Sequence, residues 1–302
     1  MKIYDLAIAY SWEYDDDFIE EVQKIFHERG LSFLPISFEN LNEVLDKIKN
    51  DEISLRFFLD RASDAEEEFV PLAKLIQEKK FFIINQYSNV EFAIDKATMH
   101  LEFITNGINT PFTIIISPYK EKKNIELTIE QLAKLGRPFI IKPANTTGGG
   151  IGVVLGAETL ADVLKARQHL ENDKYLLQEK IEPIEFDGKR FWFRSFYAFG
   201  KIIHCWWNDI THIYKEISSD EFEKYNFSEM NLIVQKIHEI TNLEFFSTEI
   251  AFTKENKFIV IDYVNDQCDM RFQSKHYDGV PDNVIYEIIN SMADFIRRNN
   301  QE

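Results

Sequence analysis

Cysteine is nearly missing: Cys205 and Cys268 are the only two in 302 residues, and neither stands in a Cys-x-x-Cys or Cys/His spacing. That excludes a disulfide scaffold, a redox pair and a zinc ribbon, and both thiols read as small buried hydrophobes in a reducing compartment. Positive charge is also short. Lys and Arg total 34 against 51 Asp and Glu, for a net charge of −17, and no stretch gathers enough of them to neutralise a nucleic-acid backbone. No nucleic-acid partner is expected. No apolar run reaches the ~18 residues of a membrane span, and Met1 to Tyr10 lacks a signal-peptide core, so no membrane partner and a cytoplasmic location are expected.

Glycine is sparse as well, yet four of the eleven fall between residues 139 and 152, in Phe-Ile-Ile-Lys-Pro-Ala-Asn-Thr-Thr-Gly-Gly-Gly-Ile-Gly. An apolar strand there delivers Lys142 to a loop whose backbone N–H groups, free of Cβ atoms, can close on a polyanion such as a triphosphate. Two readings stand at this point: a nucleotide phosphate site, or a plain β-turn from Thr147 to Gly152. No Gly-Lys-Ser/Thr closes the loop, and the Gly-x-Gly-x-x-Gly spacing is broken at Leu155, so neither a Walker loop nor a dinucleotide fingerprint is present.

With 45% hydrophobic and 14% aromatic residues the chain can build one large core or two to three small domains. Strands are predicted at Ile3–Tyr10, Leu31–Ser37, Leu55–Leu59 and Phe81–Asn85, separated by helices at Asp16–Arg29, Asn40–Lys49 and Asp64–Lys79 capped by Ser63 or Asp64. That alternation implies βαβ units and a parallel sheet. A helix is expected from Asp95 to Ile104, then a small α/β unit from Leu127 to about Leu170 holding the glycine loop. Beyond Tyr175 strands dominate, with one long helix over Asp220–Thr241 and a terminal one over Asp282–Arg298. Arginines at 190 and 194 lie in an aromatic strand, off one face with Trp192.

This order of features resembles the ATP-grasp superfamily, carboxylate–amine ligases such as D-alanine–D-alanine ligase, glutathione synthetase and the ribosomal-protein glutamate ligases. The resemblance spans roughly residues 85 to 275 and rests on Asp95-Lys96, Gly107-Ile-Asn-Thr-Pro111, Lys142-Pro143 before the glycine loop, and the Glu249 and Asp262 strands. It implies an α/β and α+β architecture: a parallel pre-ATP-grasp domain at 1–95, a small subdomain at 96–180 and a C-terminal subdomain at 181–302, the latter two with antiparallel sheets. It further implies that Lys96, Lys142, Thr147, Gly148, Gly149 and Gly150 hold the phosphates of ATP, and that Gln178, Glu179, Lys180 and Ile181 meet the adenine. Arg194 would act on the transferring phosphoryl group, and Glu249, Asp262 and Asn265 would bind Mg²⁺, or Mn²⁺ in its place.

The implied activity is activation of a small-molecule carboxylate as an acyl phosphate for attack by an amine. A kinase of small hydroxyl substrates and a non-catalytic nucleotide-binding module are the alternatives. One departure stands out: the family spacing is Glu-x-Asn, and here Tyr263 holds the position two before Asn265. Asp262 lies three before Asn265, so it reaches the same face only if the strand bulges or ends there. Asp266 and Asp269 are reserve ligands. Arg271 and His276 lie where an acceptor would bind, and Trp206, Trp207, Asn208, His212 and Tyr214 either line that pocket or pack in a sheet.

Overall fold

The computed structural model describes residues 1–145 and 150–300. Its first part runs β1 (Lys2–Tyr10), α1 (Asp16–Glu28), β2 (Phe33–Ile36), α2 (Leu41–Lys49), β3 (Ile53–Arg61), α3 (Val70–Glu78) and β4 (Phe82–Ile84). The four strands pair in parallel in the order β2-β1-β3-β4. In α1 the buried residues Phe18, Ile19, Val22, Ile25 and Phe26 recur at helical spacing and form the inward stripe. The expected helix from Asp64 starts later, at Val70. Asp60, rather than Ser63 or Asp64, supplies the turn: its carboxylate accepts from the backbone N–H of Ala62 and of Ser63, each at 3.0 Å. Pro71 then suits the first helical turn, where its missing N–H costs nothing.

Next come α4 (Tyr87–Ile94), which the sequence pattern did not suggest, α5 (Lys96–Thr105), β5 (Thr113–Ile116), α6 (Ile129–Leu135), β6 (Phe139–Pro143), β7 (Val154–Ala157), α7 (Leu160–Arg167) and β8 (Tyr175–Glu179). These strands form an antiparallel sheet ordered β5-β8-β6-β7. Local signals set the helix starts. The Asp95 carboxylate accepts from the N–H groups of Ala97 and Thr98, and Thr128 and Thr159 each close a capping box. One sheet face, with Phe139, Ile141, Tyr175 and Leu177, packs against Leu135 of α6 and Val163 of α7.

The remainder holds a short hairpin, β9 (Glu185–Phe186) and β10 (Lys189–Arg190), then β11 (Trp192–Ala198), β12 (Lys201–Trp207), β13 (Tyr214–Glu216), α8 (Ser219–Tyr225), α9 (Ser228–Thr241), β14 (Phe245–Phe252), β15 (Phe258–Asn265) and α10 (Asp282–Asn299). The larger sheet is antiparallel in the order β13-β12-β11-β14-β15. The single long helix expected over Asp220–Thr241 is two. Asn226 turns left-handed at φ 52° and closes α8 with a bond to the Glu223 carbonyl, a conformation asparagine tolerates better than most residues. One face of the larger sheet shares a core with α10, α1 and the parallel sheet, through Phe196, Phe199, Ile288, Met292, Phe18 and Phe57. The other packs on α9 and α5, through Phe193, Ile233 and Phe103. Among the described residues no helix is long and apolar enough to cross a membrane.

Candidate nucleotide and metal site

Both candidate lysines come from structure at the small sheet. Lys96 opens α5 directly after the Asp95 cap, and its backbone N–H donates to the Ala144 carbonyl at 3.1 Å. That bond seats the helix start against the chain two residues beyond Lys142. Lys142 lies near the end of β6, 7% exposed, with Nζ donating to the Ile261 carbonyl at 3.0 Å and 5.3 Å from the Tyr263 ring centre. Burial pushes its ammonium down to about 8; Lys96 pushes the same way, while Asp262 and Glu249 oppose. The two lysines therefore sit within mutual electrostatic range, and the larger sheet's carboxylates face them.

Those carboxylates are placed by register. Arg194 on β11 is the cross-strand partner of Glu249 on β14, and Glu249 is the partner of Asp262 on β15, so the three form one row across neighbouring strands. The ladder slips between Ser247 and Glu249. Ser247 pairs with Asn265 and Glu249 with Asp262, so three steps on β15 oppose two on β14. This is a β-bulge, and it brings Asp262 and Asn265 to one face despite their odd separation. Arg194 Nη2 donates to Glu249 Oε1 at 2.5 Å, Trp192 Nε1 donates to Oε2 at 3.0 Å, and the guanidinium lies 5.1 Å from the Trp207 ring centre.

Burial raises Glu249, Arg194 opposes that, and Asp262 adds to it. Asp262 goes the other way: burial resists ionisation, but Lys96, Lys142 and Arg194 together hold its carboxyl below the usual range. Burial is the largest single influence on Arg194 and works against its charge, but Glu249, Tyr214 and Asp262 together more than offset it, so the guanidinium remains charged.

The segment expected to meet adenine is more inward-facing than its sequence suggested. Gln178 is 2% exposed, and its Nε2 donates to Thr113 Oγ1 at 2.9 Å and to the Tyr263 hydroxyl at 2.8 Å. Glu179 accepts from the Phe112 N–H at 2.7 Å. Lys180 pairs with Glu182 at 2.7 Å in solvent, and Ile181 packs, partly buried, against the core that the larger sheet shares with the parallel sheet. Arg190 faces outward to Asp209, Glu182 and Glu185, which separates it from the row containing Arg194.

Thr147, Gly148 and Gly149, named for the phosphates, lie outside the described residues. Gly150 follows them at φ 76°, and Gly152 at φ 78° would bring a Cβ to 3.1 Å from Pro143 Cγ, so a side chain there meets both strain and crowding. Asp266 is pushed up to about 6 by burial and by Asp64. Arg271 is held between Asp269 and Asp278. Trp206 and Trp207 both belong to the core, and Trp207 also stacks on His212 and meets Tyr214 at a tilt. Asn208 accepts from the N–H groups of Ile210 and Thr211 as a turn residue.

His100 and Thr113 were not singled out from sequence, and Tyr263 stood out there only as a departure from the family spacing. The Tyr263 ring is fully buried, and its hydroxyl meets His100 Nδ1 at 2.7 Å as well as the Gln178 amide. One signal existed: His100 follows Lys96 by four residues, on the same helix face.

No protein-family model matches the sequence, and no curated protein does. Solved structures do match. D-alanine–D-alanine ligase from Bacillus anthracis complexed with ATP is 15% identical, with a TM-score of 0.62 over 99% of this chain and 100% of that one. A RimK domain ATP-grasp protein from Sphaerobacter thermophilus is 15% identical, with a TM-score of 0.64 over 96% and 99%. The ATP-grasp ligase PsnB, complexed with minimal precursor, Mg and ADP, is 12% identical, with a TM-score of 0.57 over 95% and 98%. With one parallel sheet followed by two larger antiparallel ones in this order, and whole-chain superposition on these structures, the protein has the ATP-grasp fold.

Proposed function

We propose that the protein is an ATP-dependent ligase that activates a carboxylate as an acyl phosphate and passes the acyl group to an amine, releasing ADP and phosphate. One observation carries this reading: two lysines on the small-sheet side and the Arg194–Glu249–Asp262 row on the larger sheet lie within mutual electrostatic range. Phosphoryl transfer asks for positioning and charge neutralisation more than for covalent chemistry. Lys96 and Lys142 would hold phosphate oxygens, and Arg194, already dry and charged, would stabilise negative charge developing on the acyl phosphate. No serine or cysteine nucleophile is required. We take residues 1–95, 96–180 and 181–302 as the three units that enclose the site.

The donor set suits a hard cation in part. Glu249 and Asp262 are oxygen ligands on adjacent strands, with Asn265 beyond, while no group of three His, Cys, Asp or Glu that could hold a metal exists among the described residues. Magnesium typically takes one or two carboxylates and completes its shell with waters and substrate phosphates, so this pair fits Mg²⁺ arriving with ATP rather than a pre-loaded metal. When bound, the ion would neutralise charge on the β- and γ-phosphates.

The test is ADP release with candidate carboxylates and amines. Release that requires both substrates supports ligation, and Arg194→Ala should then slow turnover by about a hundredfold or more. A stable phosphorylated hydroxyl product, or tight ATP binding without turnover, would overturn the ligase reading.

A further inference from the structure

The amide of Gln178 is oriented by a chain of hydrogen bonds that ends on an obligate acceptor. Thr113 Oγ1 lies 2.9 Å from the Pro111 carbonyl, which can only accept, so the single hydroxyl proton of Thr113 is committed there. Thr113 Oγ1 must then accept from Gln178, which places the NH₂ end of the amide at Thr113 and the carbonyl oxygen on the other side. The second amide hydrogen goes to the Tyr263 oxygen, which also meets His100 Nδ1 at 2.7 Å. Both donors of Gln178 are thereby used inside the protein, and its Oε1 accepts no hydrogen bond from any described residue.

Gln178 also lies on the relevant face. It pairs with Ile140 on β6 and Thr113 on β5, and Lys142, two residues beyond Ile140, shares that side of the sheet. The side chain therefore offers one group, an acceptor, beside a candidate phosphate-binding lysine. An acceptor is satisfied by an exocyclic amine and repelled by a carbonyl oxygen, the difference between the adenine and guanine edges. A buried polar group left unpaired by the wrong ligand discriminates more strongly than a missing apolar contact.

We propose that Thr113 and Tyr263 are specificity-determining positioning residues, which hold the Gln178 amide with its carbonyl oxygen toward the nucleobase so that a 6-amino purine is taken in preference to a 6-oxo purine. The inference rests on the reading above that a nucleotide binds between the two antiparallel sheets, and names the residues that select its base. Neither residue needs to touch the nucleotide.

Binding of ADP and of IDP, which differ at that edge, measured by calorimetry on the full chain with Mg²⁺, tests it. The expected result is a wild-type preference for ADP that falls about tenfold in Thr113→Val, where the amide is free to turn over, and returns in Thr113→Ser, which keeps the hydroxyl. Tyr263→Phe should narrow the preference in the same direction. A purely structural defect would weaken ADP and IDP alike and leave their ratio unchanged; an unchanged ratio in Thr113→Val overturns the inference while the nucleotide site stands. Wild-type protein that binds neither ADP nor IDP removes the site itself and the inference with it.

Discussion

Single buried side chains in this protein carry titration behaviour that can be read with its sign. His204 on β12 is 8% exposed, with Nδ1 at 2.7 Å from Ser195 Oγ and Nε2 at 2.8 Å from Asn231 Oδ1, and burial pushes it down to about 4. The unfolded chain takes up this proton near pH 6.5 and the folded chain only near 4. Stability is therefore full above 6.5 and is lost as the pH falls through that window, by roughly 3 kcal/mol for a shift of this size. Urea midpoints of wild type and His204→Gln between pH 7 and pH 4 check this: the variant should show a distinctly shallower acid slope, and parallel slopes would contradict it. The candidate cations were legible at this same scale, because Lys142 and Arg194 stand in apolar strands of an acidic chain, where a solvated role is hard to sustain. Thr113 was not, and Tyr263 was visible only as a misplaced residue, because their contacts depend on which residue faces them from another strand, and periodicity within one strand does not carry that.

Elements supply what residues alone do not. The sequence states that Asp262 and Asn265 share a face only across an irregularity in β15, and the slipped ladder against β14 supplies it; strand pattern names the requirement and pairing meets it. The break between α8 and α9 was missed for a related reason: the apolar spacing continues through Asn226, and a left-handed turn leaves no mark on it. The segment after β15 shows how tightly such connections are built. Phe272 bridges to Val280, and a Cβ on Gly279 would come within 2.5 Å of the Arg271 carbonyl oxygen and 2.9 Å of Phe272 backbone atoms. Backbone atoms cannot swing aside as a side chain can, so Gly279→Ala should destabilise the protein by about 1–3 kcal/mol, the range for overpacking. Chemical denaturation reads this directly, and an unaltered midpoint would mean that the bridge gives way freely.

At the scale of the molecule, the three main sheets are tied by a few specific bonds across a chain of net charge −17. Arg61 at the end of the parallel sheet binds Asp15 and the Cys268 carbonyl, Asn85 binds the backbone of Glu244 and Phe245, and Lys142 binds the Ile261 carbonyl of the larger sheet. The last of these joins the small and larger sheets, between which the proposed nucleotide would lie, so ATP would have to exchange that bond for its own phosphates. Burial that lowers the Lys142 ammonium to about 8 also means that the cation is held at a cost in the unliganded protein. Replacing it should therefore leave the unliganded fold as stable as before, or slightly more so, while removing the charge that makes binding favourable. Wild type with Mg²⁺ and ATP at ~100 times its dissociation constant should gain about 2.7 kcal/mol of stability, visible as a raised melting temperature. Lys142→Ala should melt at or above the wild-type unliganded temperature and show almost none of this gain at the same ATP concentration. A full ATP-induced shift in the variant would separate Lys142 from the nucleotide and leave its bond to Ile261 as a purely structural tie.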